Sequence, residues 1–152
     1  MSNIVPYHGN IENETIKNYN YRKVIFTGKN LQLVLMTLEP MDSIKKEVHK
    51  THDQFFRIEK GTGVIIIDDI TYSLSDGFAV VVPAGSVHEV KNTSPSDQLK
   101  LYTVYAPPEH PDKTVQITNP DKKYEEKYNI CKQKCDVLVR LIKESNKYVW
   151  KK

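Results

Sequence analysis

From Lys23 to about Tyr105 the chain runs in short apolar or alternating stretches cut by turn residues. The stretches are RKVIFT, LQLVLMTLEP, QFFRIEKG, GVIIID, ITYSL, FAVVVPAG, EVKN and LKLYTVYAPP. Runs of about four to eight β-branched and aromatic residues, separated by Gly, Pro, Asp and Asn, suit antiparallel strands, because alternate side chains face opposite sides of a pleated sheet. Asp68-Asp69, between an apolar run and ITYSL, predicts a hairpin, and Ser75-Asp76-Gly77 predicts a second turn. Eight such runs within about 85 residues predict an all-β, jelly-roll barrel rather than an open sheet.

Past residue 119 the period changes. Apolar positions fall at Tyr124, Tyr128, Cys131, Cys135, Leu138 and Ile142, in steps of four and three that align them on one helix face. Asp121, Glu125 and Glu126 suit the positive end of that helix dipole, and Lys143 suits the other. The pattern divides the chain into an N-terminal lead-in packed on the barrel (1–22), the barrel (23–118) and a C-terminal α-helix (119–152). The helix stripe is expected to dock on the barrel, with a dimer contact as the alternative. Cys131 and Cys135 are expected as small buried apolar residues, since two cysteines four apart on a helix are poorly placed for a disulfide.

Composition narrows the function classes. At 152 residues, 39% hydrophobic and 27% charged, the chain can bury a core without disulfides or a structural metal, so a metal inferred from its sequence is functional. A formal net charge of +3, from 22 basic against 19 acidic residues, is mild and follows no motif, which argues against a nucleic-acid partner. The start MSNIVPYHGN has no basic segment leading into an apolar run, and no stretch approaches about 18 apolar residues. The expectation is a soluble, cytoplasmic protein with no membrane partner.

The chemistry lies in two segments. Gly77, Pro83, Gly85, His88 and Asn92 describe a turn, an apolar strand, a tight Pro-Ala-Gly turn and a histidine carried back on the next strand. Upstream, in EVHKTHDQFFRIEKG, Glu47 and His49 are two apart and so share a strand face, while Gln54 is followed after six residues by Gly61. The spacing from Gly77 to Asn92 resembles the second conserved motif of the cupin superfamily at every fixed position. The upstream segment resembles the first motif, with Glu47 in place of its first histidine and Gln54 in place of its acidic residue. The resemblance implies a cupin-type double-stranded β-helix holding one divalent metal ion at His49, Gln54 and His88, with Glu47 as a further candidate ligand. Such a nitrogen and oxygen set suits Zn, Fe, Mn, Ni or Cu and does not choose among them. A second alignment makes His49 and His52 the ligand pair, and His110 reads as a surface or rim residue.

The strings DQFFRIEKGTG, VVVPAGSVHEVKN and LKLYTVYAPPEHPDKTV resemble the small single-domain cupins described as mannose-6-phosphate-isomerase-like, over residues 23–118. That resemblance implies metal-dependent isomerase or dioxygenase chemistry on a small-molecule ligand such as a sugar derivative, in a homodimer. Glu47 or His52 is then the candidate general base and Tyr102 or Tyr105 the proton donor. Phe55, Phe56, Arg57, Phe78 and Tyr105 would line the pocket, Arg57 supplying a cation for an anionic group. The competing expectation is a non-catalytic ligand-binding module whose C-terminal helix mediates assembly.

Overall fold

The alternating runs become ten strands in a computed structural model that describes residues 4–122 and 130–140. In chain order these are α1 (Ile11–Lys17), β1 (Arg22–Thr27), β2 (Gln32–Leu38), β3 (Ser43–Val48), β4 (Asp53–Lys60), β5 (Thr62–Ile67), β6 (Ile70–Ser75), β7 (Ala79–Val82), β8 (Val87–Asn92), β9 (Leu99–Ala106) and β10 (Val115–Gln116). They form two antiparallel sheets, one ordered β10-β1-β2-β9-β4-β7 and the other β3-β8-β5-β6. This is the all-β, jelly-roll class that the pattern predicts. The chain resolves into two units, Met1–Thr118 and Asn119–Lys152.

Alternation sets which side chains enter the barrel. Val34, Met36 and Leu38 on β2, Phe56 and Ile58 on β4, Ile65 on β5, Val90 on β8 and Leu99, Leu101 and Tyr105 on β9 are buried in one apolar cluster. Turn chemistry fixes the registers. Asp68 and Asp69 both take positive φ (46° and 67°) between β5 and β6, the two-residue turn whose twist matches that of the flanking strands. Gly61 sits at φ 93°, and a Cβ there would come within 2.5 Å of the Gln98 carbonyl oxygen, so glycine is required on both counts.

Three elements escaped the sequence pattern. β3, SIKKEV, carries charges on its exposed positions and reads as polar. β10 is only two residues long. Within the N-terminal lead-in, α1 is capped by Asn10, whose side chain accepts from the Asn13 amide, with Glu12 and Glu14 in its first turn and Lys17 in its last. The buried Lys100 holds the segment after this helix. Its ammonium donates to the carbonyls of Ile16 (2.8 Å) and Asn18 (2.6 Å) and lies 4.0 Å from the centre of the Tyr19 ring. Thr37 adds a hydroxyl donation to the Asn18 carbonyl at 2.9 Å.

In the second unit residues 130–140 are helical. Cys131 and Cys135 are free and exposed, which corrects the expectation of buried thiols: the apolar side chains near them, Ile130, Val137 and Leu138, are themselves half or more exposed. Tyr124, Tyr128 and Ile142 of the predicted stripe, with Glu125, Glu126 and Lys143, lie outside the described residues. No helix among the described residues is long and apolar enough to cross a membrane.

Candidate metal centre

The site begins with a defect in a strand. On β3 Ile44 pairs with Val90 of β8, yet Glu47, three residues on, pairs with His88, two residues back. A regular strand carrying Ile44 inward would turn Glu47 outward. The bulge absorbs one residue and re-aims Glu47 to the side of the buried His88. His49 follows just beyond the strand end.

The second segment is bolted to the first by its turn. Ser86 donates its amide to the Pro83 carbonyl (3.1 Å) with Gly85 at φ 89°, which is a type II arrangement. The Gly85 amide donates to the His49 carbonyl at 2.8 Å, and the Ala84 amide donates to Asp53 Oδ1 at 2.9 Å. Asn92 closes the far end. Its amide nitrogen donates to the carbonyls of Leu38, Glu39 and Asp97 at 2.7 to 3.1 Å.

Four side chains converge inside this frame. Gln54 Oε1 lies 2.9 Å from His88 Nε2, Glu47 Oε1 lies 3.5 Å from the same nitrogen, and His49 Nε2 lies 3.3 Å from Glu47 Oε1. His88 and Gln54 are almost wholly buried. Glu47 Oε1 and His49 Nε2 are buried and find no hydrogen-bond partner among the described residues. Donor protons do not account for this meeting. His88 Nδ1 faces the Ser86 carbonyl at 3.2 Å, a group that only accepts, so Nδ1 carries the hydrogen. Gln54 gives its amide nitrogen to Thr103 Oγ1 at 3.1 Å and turns its oxygen to His88. A lone pair on His88 Nε2 therefore meets two oxygen acceptors, and the arrangement calls for a second proton on His88 or a cation between them.

A cation fits the spacing. Donors about 2.1 Å from an ion stand roughly 3.0 Å apart in octahedral and 3.4 Å apart in tetrahedral geometry, against the 2.9 to 3.5 Å observed. The carboxylate is also in the right charge state. Burial pushes the Glu47 pKa up, but the neighbouring His88 and His49 imidazoles outweigh it and hold the carboxyl below its ordinary range.

Aromatic side chains wall the centre. The Tyr105 ring stands edge-on to His49 (5.6 Å between centroids), Phe56 edge-on to His88 (6.0 Å), and His110 edge-on to Tyr105 (5.1 Å). Burial, aided by the Glu47 charge, pushes the Tyr105 phenol well above its usual range. Burial also lowers His110 to about 4, with the charge of Arg22 adding to it, so this imidazole is neutral near pH 7. Gln32 fixes the His110 backbone through both its carbonyl (2.7 Å) and its amide (2.9 Å).

Other expected residues lie elsewhere. Tyr102 and Arg57 are register partners on β9 and β4, one step out of phase with the inward Thr103, Tyr105, Gln54 and Phe56. They stand with Phe55, whose ring is 6.1 Å from that of Tyr102, on the opposite face of the sheet. Tyr102 is therefore not a proton donor to this centre, and neither Arg57 nor Phe55 lines it. Phe78 is 51% exposed and lines an outer groove with Tyr72, Val81 and Pro83; it precedes β7 and does not reach the interior. His52 is at the rim, 3.2 Å from Glu109 Oε2 and 5.7 Å, ring to ring, from His49. Glu109 and Arg22 were not singled out from the sequence. Neither lies in a motif, and only the β9 turn and the pairing of β1 with β2 bring them near.

The comparisons with known proteins bear on the fold that carries these residues. The cupin-domain family matches residues 34–105. The chain is 44% identical over 117 residues to "Uncharacterized protein L612" of Acanthamoeba polyphaga mimivirus, covering 75% of this chain and 73% of that protein. It is 41% identical over 122 residues to "Uncharacterized protein YrkC" of Bacillus subtilis, covering 76% of this chain but only 65% of the longer relative. The crystal structure of BH2720 from Bacillus halodurans superposes with a TM-score of 0.74 at 37% identity, covering 77% of this chain and 92% of that one. With the barrel, both motifs and these relatives in agreement, the protein belongs to the cupin superfamily.

Proposed function

We propose that this protein is a metal-dependent cupin that holds one divalent ion on Glu47, His49, Gln54 and His88 and takes a small oxygenated metabolite at the rim of the barrel. The observation that carries this is the meeting of four donor atoms within 2.9 to 3.5 Å steps, two of them buried without any other partner. An ion of the Zn, Fe, Mn, Ni or Cu class held there would supply Lewis acidity or activate water or O2. Glu47 and the imidazoles of His49 and His88 orient it, and the Tyr105 edge and Phe56 exclude water from its inner side. His52 and Glu109, 3.2 Å apart at the rim, are the polar groups that an incoming hydroxyl meets beside the ion.

A sugar-phosphate isomerase has less support than other isomerase or dioxygenase chemistry on an uncharged ligand. Its anion partner Arg57 faces away, and the cation closer to the centre is Arg22, whose Nη1 is engaged by Gln116 at 2.8 Å. A binding module without catalysis draws its support from Gln54, a neutral ligand where a carboxylate would hold the ion more tightly. Elemental analysis of untagged protein tests the proposal. At least one ion per chain in the unaltered protein, and none in the His49→Ala/His88→Ala double variant with the fold intact, is the expected result. A folded protein that takes up no ion on reconstitution overturns it.

A further inference from the structure

The rim residues form a donor set of their own. His49 turns Nε2 to Glu47 at 3.3 Å and its other ring nitrogen, Nδ1, outward to Glu109 Oε1 at 3.8 Å. His52 Nε2 stands 3.2 Å from Glu109 Oε2 and 3.3 Å from the Pro108 carbonyl oxygen. His49, His52 and Glu109 thus present three ligand atoms within 4.8 Å of one another, a group separate from Glu47, His49 and His88 except for the histidine they share. The two spacings to Glu109, 3.8 and 3.2 Å, straddle the roughly 3.4 Å edge of a tetrahedral site. The charge type suits a cation, with a carboxylate between two imidazoles and a carbonyl oxygen beside them. His52 is also supported from behind: Thr51 Oγ1 lies 3.1 Å from its Nδ1, where it can accept the ring hydrogen once Nε2 turns to an ion.

We infer that His49, His52 and Glu109 form a second divalent-cation site at the mouth of the barrel, joined to the inner one through the two nitrogens of His49. This inference rests on the inner site only for the shared histidine. Filling both sites at once breaks the remaining ring N–H bond of His49, its proton passes to solvent, and a nitrogen–metal bond takes its place, so the imidazole becomes a bridge. Glu109 is exposed and the second ion is open to solvent, unlike the ion on buried His88 and Gln54. A ligand entering the barrel meets the outer ion first.

Zinc stoichiometry by equilibrium dialysis tests this, in full-length protein carrying Cys131→Ser and Cys135→Ser so that the exposed thiols bind none. The expected counts are two ions per chain in that background, one in Glu109→Gln or His52→Asn, one in His88→Ala, and none in His49→Ala. The last is the signature of a shared ligand. One ion in the background, unchanged by Glu109→Gln and lost in His88→Ala, overturns the inference and leaves the inner site standing. One ion lost in Glu109→Gln and kept in His88→Ala does the reverse. If His88→Ala fails to fold, Glu47→Gln, on a side chain 29% exposed, removes the inner ion in its place; two ions surviving in both Glu109→Gln and His52→Asn contradict the outer site.

Discussion

On β4 the side chains of Gln54, Phe56 and Ile58 point into the barrel, and those of Phe55 and Arg57 point away; on β9 Thr103 and Tyr105 go inward and Tyr102 outward. The residue types on the two faces are alike, since each has an aromatic pair and a polar group. Their surroundings are not. Inside, the polar side chains of these strands engage one another: Gln54 is held by Thr103 and aimed at His88. Outside, Arg57 Nε stands 3.6 Å from Glu59 with no hydrogen-bond partner among the described residues, and Tyr102 rests beside Phe55. Chemistry in this fold follows the phase of the strand rather than the residue type, so a tyrosine one position along is a different residue.

Substitutions can break that contrast at graded cost. Phe56→Ala, at 1% exposure, should cost about 3–5 kcal/mol of stability, and Phe55→Ala, only half-buried, less than half as much; equal losses in denaturant unfolding would mean that the faces are not distinct. Thr103→Val removes the group that orients Gln54, and should weaken metal binding by about tenfold or more with little change in melting temperature. Unchanged affinity would show that Gln54 needs no such support.

Lys100, on the outer face, is a buried structural cation. Lys100→Met takes the ammonium from the Ile16 carbonyl and leaves the Asn18 carbonyl with the Thr37 hydroxyl alone, and should cost about 1–3 kcal/mol. Burial, with the Lys60 charge adding to it, holds the Lys100 pKa below 10.5. The unfolded chain then binds more protons than the fold between that depressed value and 10.5, so the group's contribution to stability rises with pH across that window. The gap between wild type and Lys100→Met should widen there, and a gap that narrows in pH-dependent unfolding refutes this. The smallest effect is expected of Tyr102→Phe and Arg57→Met, which should leave metal content and affinity within about twofold.

What was legible in the sequence followed the same division. The strand runs, the Asp68-Asp69 hairpin and the His88 turn could be read because each rests on local chemistry, either alternation or a residue that tolerates positive φ. Glu47 and His49 were placed together from their two-residue spacing, although the bulge that turns Glu47 inward leaves no local mark in SIKKEV. Tyr102, Arg57 and Phe78 went astray because their strand phase, or for Phe78 its place outside a strand, depends on pairing with other strands. Glu109 was hidden for a further reason: its partners His49 and His52 lie some sixty residues away and meet it only when β4 pairs with β9.

The central claim is that four side chains on three segments surround one ion. A crystal of the metal-loaded protein, measured at the absorption edge of that metal, tests it directly. An anomalous peak within about 2.0–2.3 Å of His49 Nε2, His88 Nε2, Glu47 Oε1 and Gln54 Oε1 is the expected result. A loaded crystal with no peak there, and His88 Nε2 still 2.9 Å from Gln54 Oε1, would make the cluster a proton-bridged hydrogen-bond network and contradict the account.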